Sequence, residues 1–256
     1  MQRLVGGEQI DDVLAPYRDV DRIRPGGGTW VLANMVGGLD GSASVGGRVG
    51  PLSEGADAEL FRLMRALADV VLVGAQTVRA EGYGPIRLPP GLRAEREAAG
   101  RPPVPPVAVV TRSAALDWES PLFTDADPAS PTLVLTGAPA TGRVVPSVPG
   151  VEIVVASDSG ANPVDGGVSP GALLAALADR GYGTVLCEGG PTLLGQLVAA
   201  DRLDELCLTL APVIGGDPLP IVTSPPGAPL SGFALRHVAR DGDTLFLRYE
   251  RHSDGR

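Results

Sequence analysis

Two points in the chain set glycine at the end of an all-apolar run, with a helix-forming stretch directly behind it. The first is Gly74-Ala75-Gln76-Thr77-Val78-Arg79 after Val70 to Val73; the second is Gly189-Gly190-Pro191-Thr192-Leu193 after Thr184 to Cys187. Such a strand–glycine–helix unit turns free backbone N–H groups and the positive end of a helix dipole toward whatever lies beyond the strand, which is the chemistry of anion binding. Gly189 and Gly190 permit close backbone approach, and Pro191 suits a first helical position, where its missing N–H costs nothing. A diphosphate fits that turn. In the first unit, Thr77 and Arg79 add a hydroxyl and a guanidinium, which suits a phosphate or a ribose. A third element, Thr111-Arg112-Ser113, follows the apolar run Val107 to Val110, and its two hydroxyls flank a guanidinium able to bind a monophosphate through parallel hydrogen bonds. A ribose 2′-phosphate is the natural ligand of that triplet. Taken singly, each feature also has a plain reading: turn glycines, a solvated helix charge at Arg79, a surface arginine at Arg112.

These turns need strands and helices to hold them, and the sequence supplies both. A first buried strand spans Trp30 to Met35, and further apolar strands lie at Val107 to Val110, Thr132 to Leu135 and Val151 to Val155. From Glu54 to Asp69, Leu60, Leu63, Met64 and Leu67 recur at the spacing of one helical face, with Ser53 as the expected cap. A second helix is predicted from Pro170 to Arg180, and strands at Leu206 to Leu210 and Thr244 to Tyr249 close the chain as an antiparallel pair. The stretch from Leu88 to Pro106, rich in proline and glycine, reads as a long loop, either a lid or a structureless excursion. Residues 1–28 read as an N-terminal extension and 29–252 as a single domain. The fold class is therefore α/β, a mostly parallel central sheet flanked by helices.

Composition narrows the function. A net charge of −9 over 256 residues argues against nucleic acid as a partner, because such binding relies on clustered Lys and Arg. No apolar run approaches the ~20 residues needed to span a bilayer and no leader-like start is evident, so the expected location is the cytoplasm. Cys187 and Cys207 each sit in an apolar run and read as buried, reduced thiols. With only His237 and His252 present, no metal-ligand cluster can be assembled by spacing, and a Ser-His-Asp hydrolase is disfavoured.

Four ordered motifs are more specific than any single turn. They are Asn34-Met35-Val36-Gly37-Gly38-Leu39-Asp40-Gly41; Ala68-Asp69-Val70 through Gly74 to Arg79; Cys187-Glu188-Gly189-Gly190-Pro191-Thr192-Leu193; and Asp204-Glu205-Leu206 with Ala211-Pro212-Val213-Ile214-Gly215-Gly216. Together they resemble the C-terminal reductase domain of bifunctional riboflavin-biosynthesis proteins, over about Trp30 to Tyr249. That resemblance implies a dihydrofolate-reductase-like fold, NADPH as hydride donor held by the Gly74–Arg79 and Gly189–Leu193 turns, no metal, and a homodimer. The implied substrate is a phosphorylated ribosylamino-pyrimidine, whose ring-opened sugar is reduced to a ribityl chain. Neither the His-x-Glu nor the Pro-Cys-x-x-Cys pattern of the deaminase usually fused upstream occurs here.

Within that frame, Glu188 and Asp40 are the catalytic candidates, since each is an acid at a strand end beside a glycine-rich turn. Glu188 would bond sugar hydroxyls or polarise the acceptor; Asp40 would orient loop and substrate, or is simply a turn former before Gly41. Asn34 and Arg87 are candidate substrate contacts. The chain departs from the family pattern at Ser42, where a cation is common, and at Glu81-Gly82-Tyr83-Gly84-Pro85, where Asp-Asp-Pro is common. Arg87 or Arg48 would have to replace the missing cation. Two other readings stay open: reduction of dihydrofolate or another pterin, and nucleotide binding without catalysis.

Overall fold

A computed structural model describes residues 1–4, 9–24, 26–137, 147–156 and 168–252. The described strands form one sheet: β1 (Gln2–Arg3), β2 (Trp30–Gly37), β3 (Val70–Gly74), β4 (Val107–Val110), β5 (Thr132–Thr136), β6 (Val151–Val155), β7 (Thr184–Cys187), β8 (Glu205–Leu210), β9 (Phe233–Asp241) and β10 (Thr244–Arg251). Their order is β1-β9-β10-β8-β2-β7-β3-β4-β5-β6. From β8 to β6 every neighbouring pair is parallel, while β10, β9 and β1 extend the sheet antiparallel. The expected mostly parallel sheet with an antiparallel C-terminal end is present. The continuous apolar run of β3 explains its central place, since a parallel strand covered on both faces has no solvent side to make polar.

Helices α1 (Ala15–Arg18), α2 (Gly55–Met64), α3 (Ala75–Glu81), α4 (Pro90–Ala98) and α5 (Pro121–Thr124) precede α6 (Pro170–Ala178) and α7 (Pro191–Ala199). Leu60 and Met64 of α2 pack with Leu32, Val71 and Val73 on one face of the sheet. Leu173 and Leu177 of α6 and Leu194 and Leu197 of α7 pack with Val31, Ala33, Val70 and Leu72 on the other. Both cysteines are free and buried, and burial pushes the Cys187 thiol up to about 12. No helix among the described residues is long and apolar enough to cross a membrane.

Four features differ from the sequence reading. Residues 88–106 contain α4, whose Leu92 and Arg96 are buried. Arg96 donates to the carbonyls of Ala66 (2.9 Å), Ala68 (2.6 Å) and Pro102 (2.8 Å), and burial draws its guanidinium down to about 10. The flanking prolines and glycine masked a nine-residue helix with only one apolar anchor, Leu92, beside that arginine. Strand β9 was missed because Arg236, His237, Arg240 and Asp241 break its apolar pattern, although backbone pairing to β10 satisfies the strand regardless of side chain. The Ser53 hydroxyl does not cap α2; Glu54 stands at the cap position without a side-chain bond, and Ser53 donates instead to Asp57. Finally, α2 ends at Met64 and tightens into a 3-10 turn, Arg65–Leu67. The N-terminal segment is tied into the sheet by β1 and by Arg22, which donates to Glu205 at 2.9 Å.

Candidate active site

Strand order alone brings together the three turns expected to bind anions. β7, β3 and β4 are consecutive in the sheet, so the turns after Cys187, Val73 and Val110 leave the same edge side by side, at the carboxyl ends of parallel strands where α/β sheets bind ligands. The Gly74 amide donates to Gly189 O and the Glu188 amide to Leu72 O, both at 2.9 Å, which locks the first two turns to each other. Gly189 has φ +85°, a left-handed conformation in which a side chain is strained. A Cβ on Gly190 would lie 2.7 Å from the Thr77 hydroxyl. No side chain caps α7, so its first-turn amides point to the opening in front of Gly190 and Pro191.

That opening is a cleft of about 1020 Å³, large enough for a dinucleotide nicotinamide end together with a second small molecule. Its wall takes Gly74, Ala75, Thr77 and Arg79 from the first turn, Thr111, Arg112 and Ser113 from the second, and Gly190, Pro191, Thr192 and Leu193 from the third. Glu188 and Asn34 line it as well, because β2 and β7 are neighbours and Ala33 pairs with Cys187. Val78 of α3 is packed into the core, and neither it nor Gly189 is part of the wall. Arg87 is exposed outside the cleft. Asp40 is also outside, at a rim turn where its carboxylate accepts from the amides of Gly215 (2.8 Å) and Ser42 (3.1 Å). Those backbone donors hold Asp40 below the usual carboxylate range. Thr111 spends its hydroxyl as acceptor for the Ala114 amide at 3.1 Å, and Arg79 donates to Ala115 O at 2.9 Å, so the two arginine-bearing turns are braced against one another.

Glu188 does not stand alone. Its carboxylate accepts from Arg65 Nε at 2.7 Å and Nη2 at 2.8 Å, a forked pair, and from the Tyr83 hydroxyl at 2.5 Å. Arg65 is held between the Phe61 ring, 4.6 Å from its centroid, and the Tyr83 ring at 5.6 Å. Burial pulls the Arg65 pKa down, but the adjacent Glu188 charge outweighs it and raises the value overall. Burial, reinforced by the same carboxylate, pushes the Tyr83 phenol well above its ordinary value. Tyr83 belongs to the segment in which the chain departs from the family pattern, and that departure was the sequence signal for it. Arg65 gave none, since an arginine at the end of an amphipathic helix is usually solvated.

Asp57, in the first turn of α2, also lines the cleft and is only 3% exposed. Burial raises its carboxyl pKa, while hydrogen bonds from Ser53 and Thr209 act against that rise. Its signal was an acid spaced three and seven residues before Leu60 and Met64, on the apolar stripe of the helix. Glu81 also lines the cleft and accepts from the Val49 amide at 2.9 Å, while Asp217, outside the lining, accepts from Ser44 Oγ and the amides of Gly46 and Gly47 and so fixes the loop whose Ser44 and Gly47 do line it.

A family model decides the relationship: residues 29–246 match the RibD C-terminal domain. The chain belongs to that family. A 2,5-diamino-6-ribosylamino-4(3H)-pyrimidinone 5′-phosphate reductase of Archaeoglobus fulgidus is 28% identical over 196 residues, covering 75% of this chain and 85% of that protein. Among solved structures, a pyrimidine reductase-like protein of Corynebacterium diphtheriae is 26% identical with a TM-score of 0.76, covering 98% of both chains. A Thermotoga maritima deaminase/reductase matches at 20% identity and TM-score 0.66, over 88% of this chain and 57% of that one. The last likeness shows the shared fold, and the RibD C-terminal domain here carries its cleft at the sheet edge built by the family motifs.

Proposed function

We infer that this RibD C-terminal domain is an NADPH-dependent reductase of a ribosylamino-pyrimidine in the riboflavin pathway. The observation that carries this reading is the convergence of three anion-binding turns and a buried Arg65–Glu188–Tyr83 cluster on one cleft. The uncapped α7 terminus and the Gly189-Gly190 turn accommodate a diphosphate, since a side chain at either glycine would strain the backbone or crowd Thr77. Arg112 and Ser113, at the neighbouring strand end, provide a donor set for a ribose 2′-phosphate. When bound, the nicotinamide supplies a hydride; the chain's part is to align and polarise the acceptor.

The acceptor is the first carbon of the ring-opened sugar in its imine form. A hydride adds to that carbon, the C=N electron pair moves to nitrogen, and nitrogen takes a proton, giving the ribityl amine and the oxidised cofactor. Glu188 fixes Arg65 and Tyr83 in place, leaving the Nη1 edge of Arg65 to hydrogen-bond the sugar chain. Arg62, which also lines the cleft, supplies the cation for the substrate phosphate that neither Arg48 nor Arg87 is placed to give. The A. fulgidus relative's name supports the substrate class.

Thermal shifts with NADPH and NADH, followed by cofactor-oxidation assays with a ribosylamino-pyrimidine phosphate and with dihydrofolate, test this reading. It expects a larger shift with NADPH and turnover of the pyrimidine. Turnover of dihydrofolate alone would make the chain a pterin reductase, and binding without turnover of either would leave a nucleotide-binding protein.

A further inference from the structure

β2 and β8 are parallel neighbours paired to their last residues, Gly37 and Leu210, so the connections that follow them leave the sheet side by side. Each connection supplies a carboxylate to the other. Asp217, after β8, accepts from the Gly47 amide at 2.7 Å, the Gly46 amide at 3.2 Å and Ser44 Oγ at 2.8 Å, and its own amide donates to Ser44 O at 2.9 Å. Asp40, after β2, accepts from the Gly215 amide at 2.8 Å. Between the two acids the Leu39 amide donates to Val213 O and the Ala43 amide to Leu219 O, both at 2.8 Å. Gly46 and Gly47 stand at φ +61° and +76°, a left-handed backbone that favours glycine and turns successive amides toward one point. The Asp217 carboxylate occupies that point, and amide donation from Gly47 is the largest cause of its depressed pKa. Neither acid lines the cleft, whereas Ala43, Ser44, Gly47 and Leu219 do. This wall lies on the β2 side of β7, away from the turns that follow β3 and β4.

We propose that Asp217 is a positioning residue for the reduction: with Asp40 it clasps the two connections into one fixed wall of the cleft, against which the substrate docks. This rests on the reductase reading of the cleft. A loop held only at its strand end must be ordered when a ligand arrives, and that lost freedom is subtracted from affinity. The exchanged carboxylates order both loops beforehand, through charge-assisted bonds stronger than a neutral side chain would make to the same amides. Asp40 is exposed and Asp217 half-buried, and neither belongs to a core cluster, so their loss loosens the wall without unfolding the sheet. The Arg65–Glu188–Tyr83 cluster stands on other elements and keeps its geometry. Substrate affinity therefore depends on the clasp, and the rate at saturation does not.

Limited trypsin digestion reads the wall without turnover, because Arg48 is the single Lys or Arg between Arg24 and Arg62 and lies exposed in the clasped loop. Arg48 should be cut slowly in the wild-type chain and about 10–100-fold faster in Asp217→Ala, the rise in open loop that follows from losing charge-assisted hydrogen bonds. Asp217→Asn, which keeps one acceptor oxygen, should fall between. Asp40→Ala should act in the same direction, and the double variant should exceed either single by less than the product of their effects, as for two halves of one clasp. In NADPH-oxidation assays with the ribosylamino-pyrimidine phosphate, Asp217→Ala should raise KM by about 10-fold or more and keep kcat within about threefold. Equal cutting of the wild-type chain and Asp217→Ala, an unchanged KM, or a loss confined to kcat would overturn the proposal. Global unfolding of both Asp217→Ala and Asp217→Asn, seen in their melting curves, would overturn it too, by making Asp217 a residue of the fold. Digestion as expected in a wild-type chain that oxidises no NADPH with the pyrimidine would support the clasp and overturn the reductase reading instead.

Discussion

At the scale of single residues, the site is a set of matched and unmatched charges. Glu188 and Arg65 are matched, with side-chain exposures of 0% and 16%. Glu188→Gln therefore has two consequences. Turnover should fall by ~10²–10⁴-fold, because the donors that hold the sugar lose their fixed geometry. Stability should fall by about 3 kcal/mol, the lower end for breaking a buried pair, because Arg65 keeps its charge beside a neutral amide that offers one acceptor oxygen where the carboxylate offered two. Adding Arg65→Gln should recover part of the stability and none of the turnover. Urea unfolding and NADPH oxidation on the single and double variants check this; a double variant as unstable as the sum of both singles would show that the pair is not coupled. The placement of Glu188 and of the two glycine turns at strand ends was legible from sequence because each stands where an apolar run meets glycine. Tyr83 and Asp57 carried only indirect signals and Arg65 none, since their meeting with Glu188 in one cleft depends on which strand lies beside which.

At the scale of elements, the fold was largely legible where apolar periodicity was unbroken, as in β3, β4, α6 and α7. It was obscured where packing overrode composition. α4 shows why: its anchor is a buried arginine whose partners are the carbonyls of the turn that carries Arg65. Arg96→Met should leave the Ala66 and Ala68 carbonyls without donors, at about 1–3 kcal/mol each, and should also lower turnover by loosening the Arg65 turn. An urea midpoint unchanged from wild type would mean that the clamp carries no weight. The proposed choice of NADPH over NADH belongs to the β4–α5 connection. Arg112→Ala should weaken NADPH by about 1.5–3 kcal/mol and NADH hardly at all, as measured by titration calorimetry, because only NADPH offers a 2′-phosphate to that strand end. Equal weakening of both would move the 2′-phosphate site elsewhere.

At the scale of the whole molecule, the sheet couples the N-terminal segment, the antiparallel extension and the cleft. His237 of β9 is buried against the Tyr17 ring, 6.0 Å away, with no partner on its Nε2 among the described residues. Burial, with Arg3 and Arg248 adding to it, depresses its pKa to about 4. The unfolded chain therefore takes up that proton first, and stability declines as pH falls from about 6.5 toward 4, by up to ~1.4 kcal/mol per unit. Asp57, with its raised pKa, contributes in the opposite direction, since the folded state holds its proton to higher pH. Comparing urea unfolding at pH 7 and pH 5 for wild type and His237→Phe isolates the histidine: the variant should lose less stability on acidification, and equal losses would place the sensitivity elsewhere. The central claim is that this cleft brings NADPH to the sugar carbon of a ribosylamino-pyrimidine. The most direct test is to supply NADPH deuterated at nicotinamide C4 together with the ribosylamino-pyrimidine phosphate and to analyse the product by mass spectrometry. The account predicts a ribityl product carrying one deuterium on the first carbon of its chain. A product without label, or cofactor oxidation with no ribityl product, would contradict it.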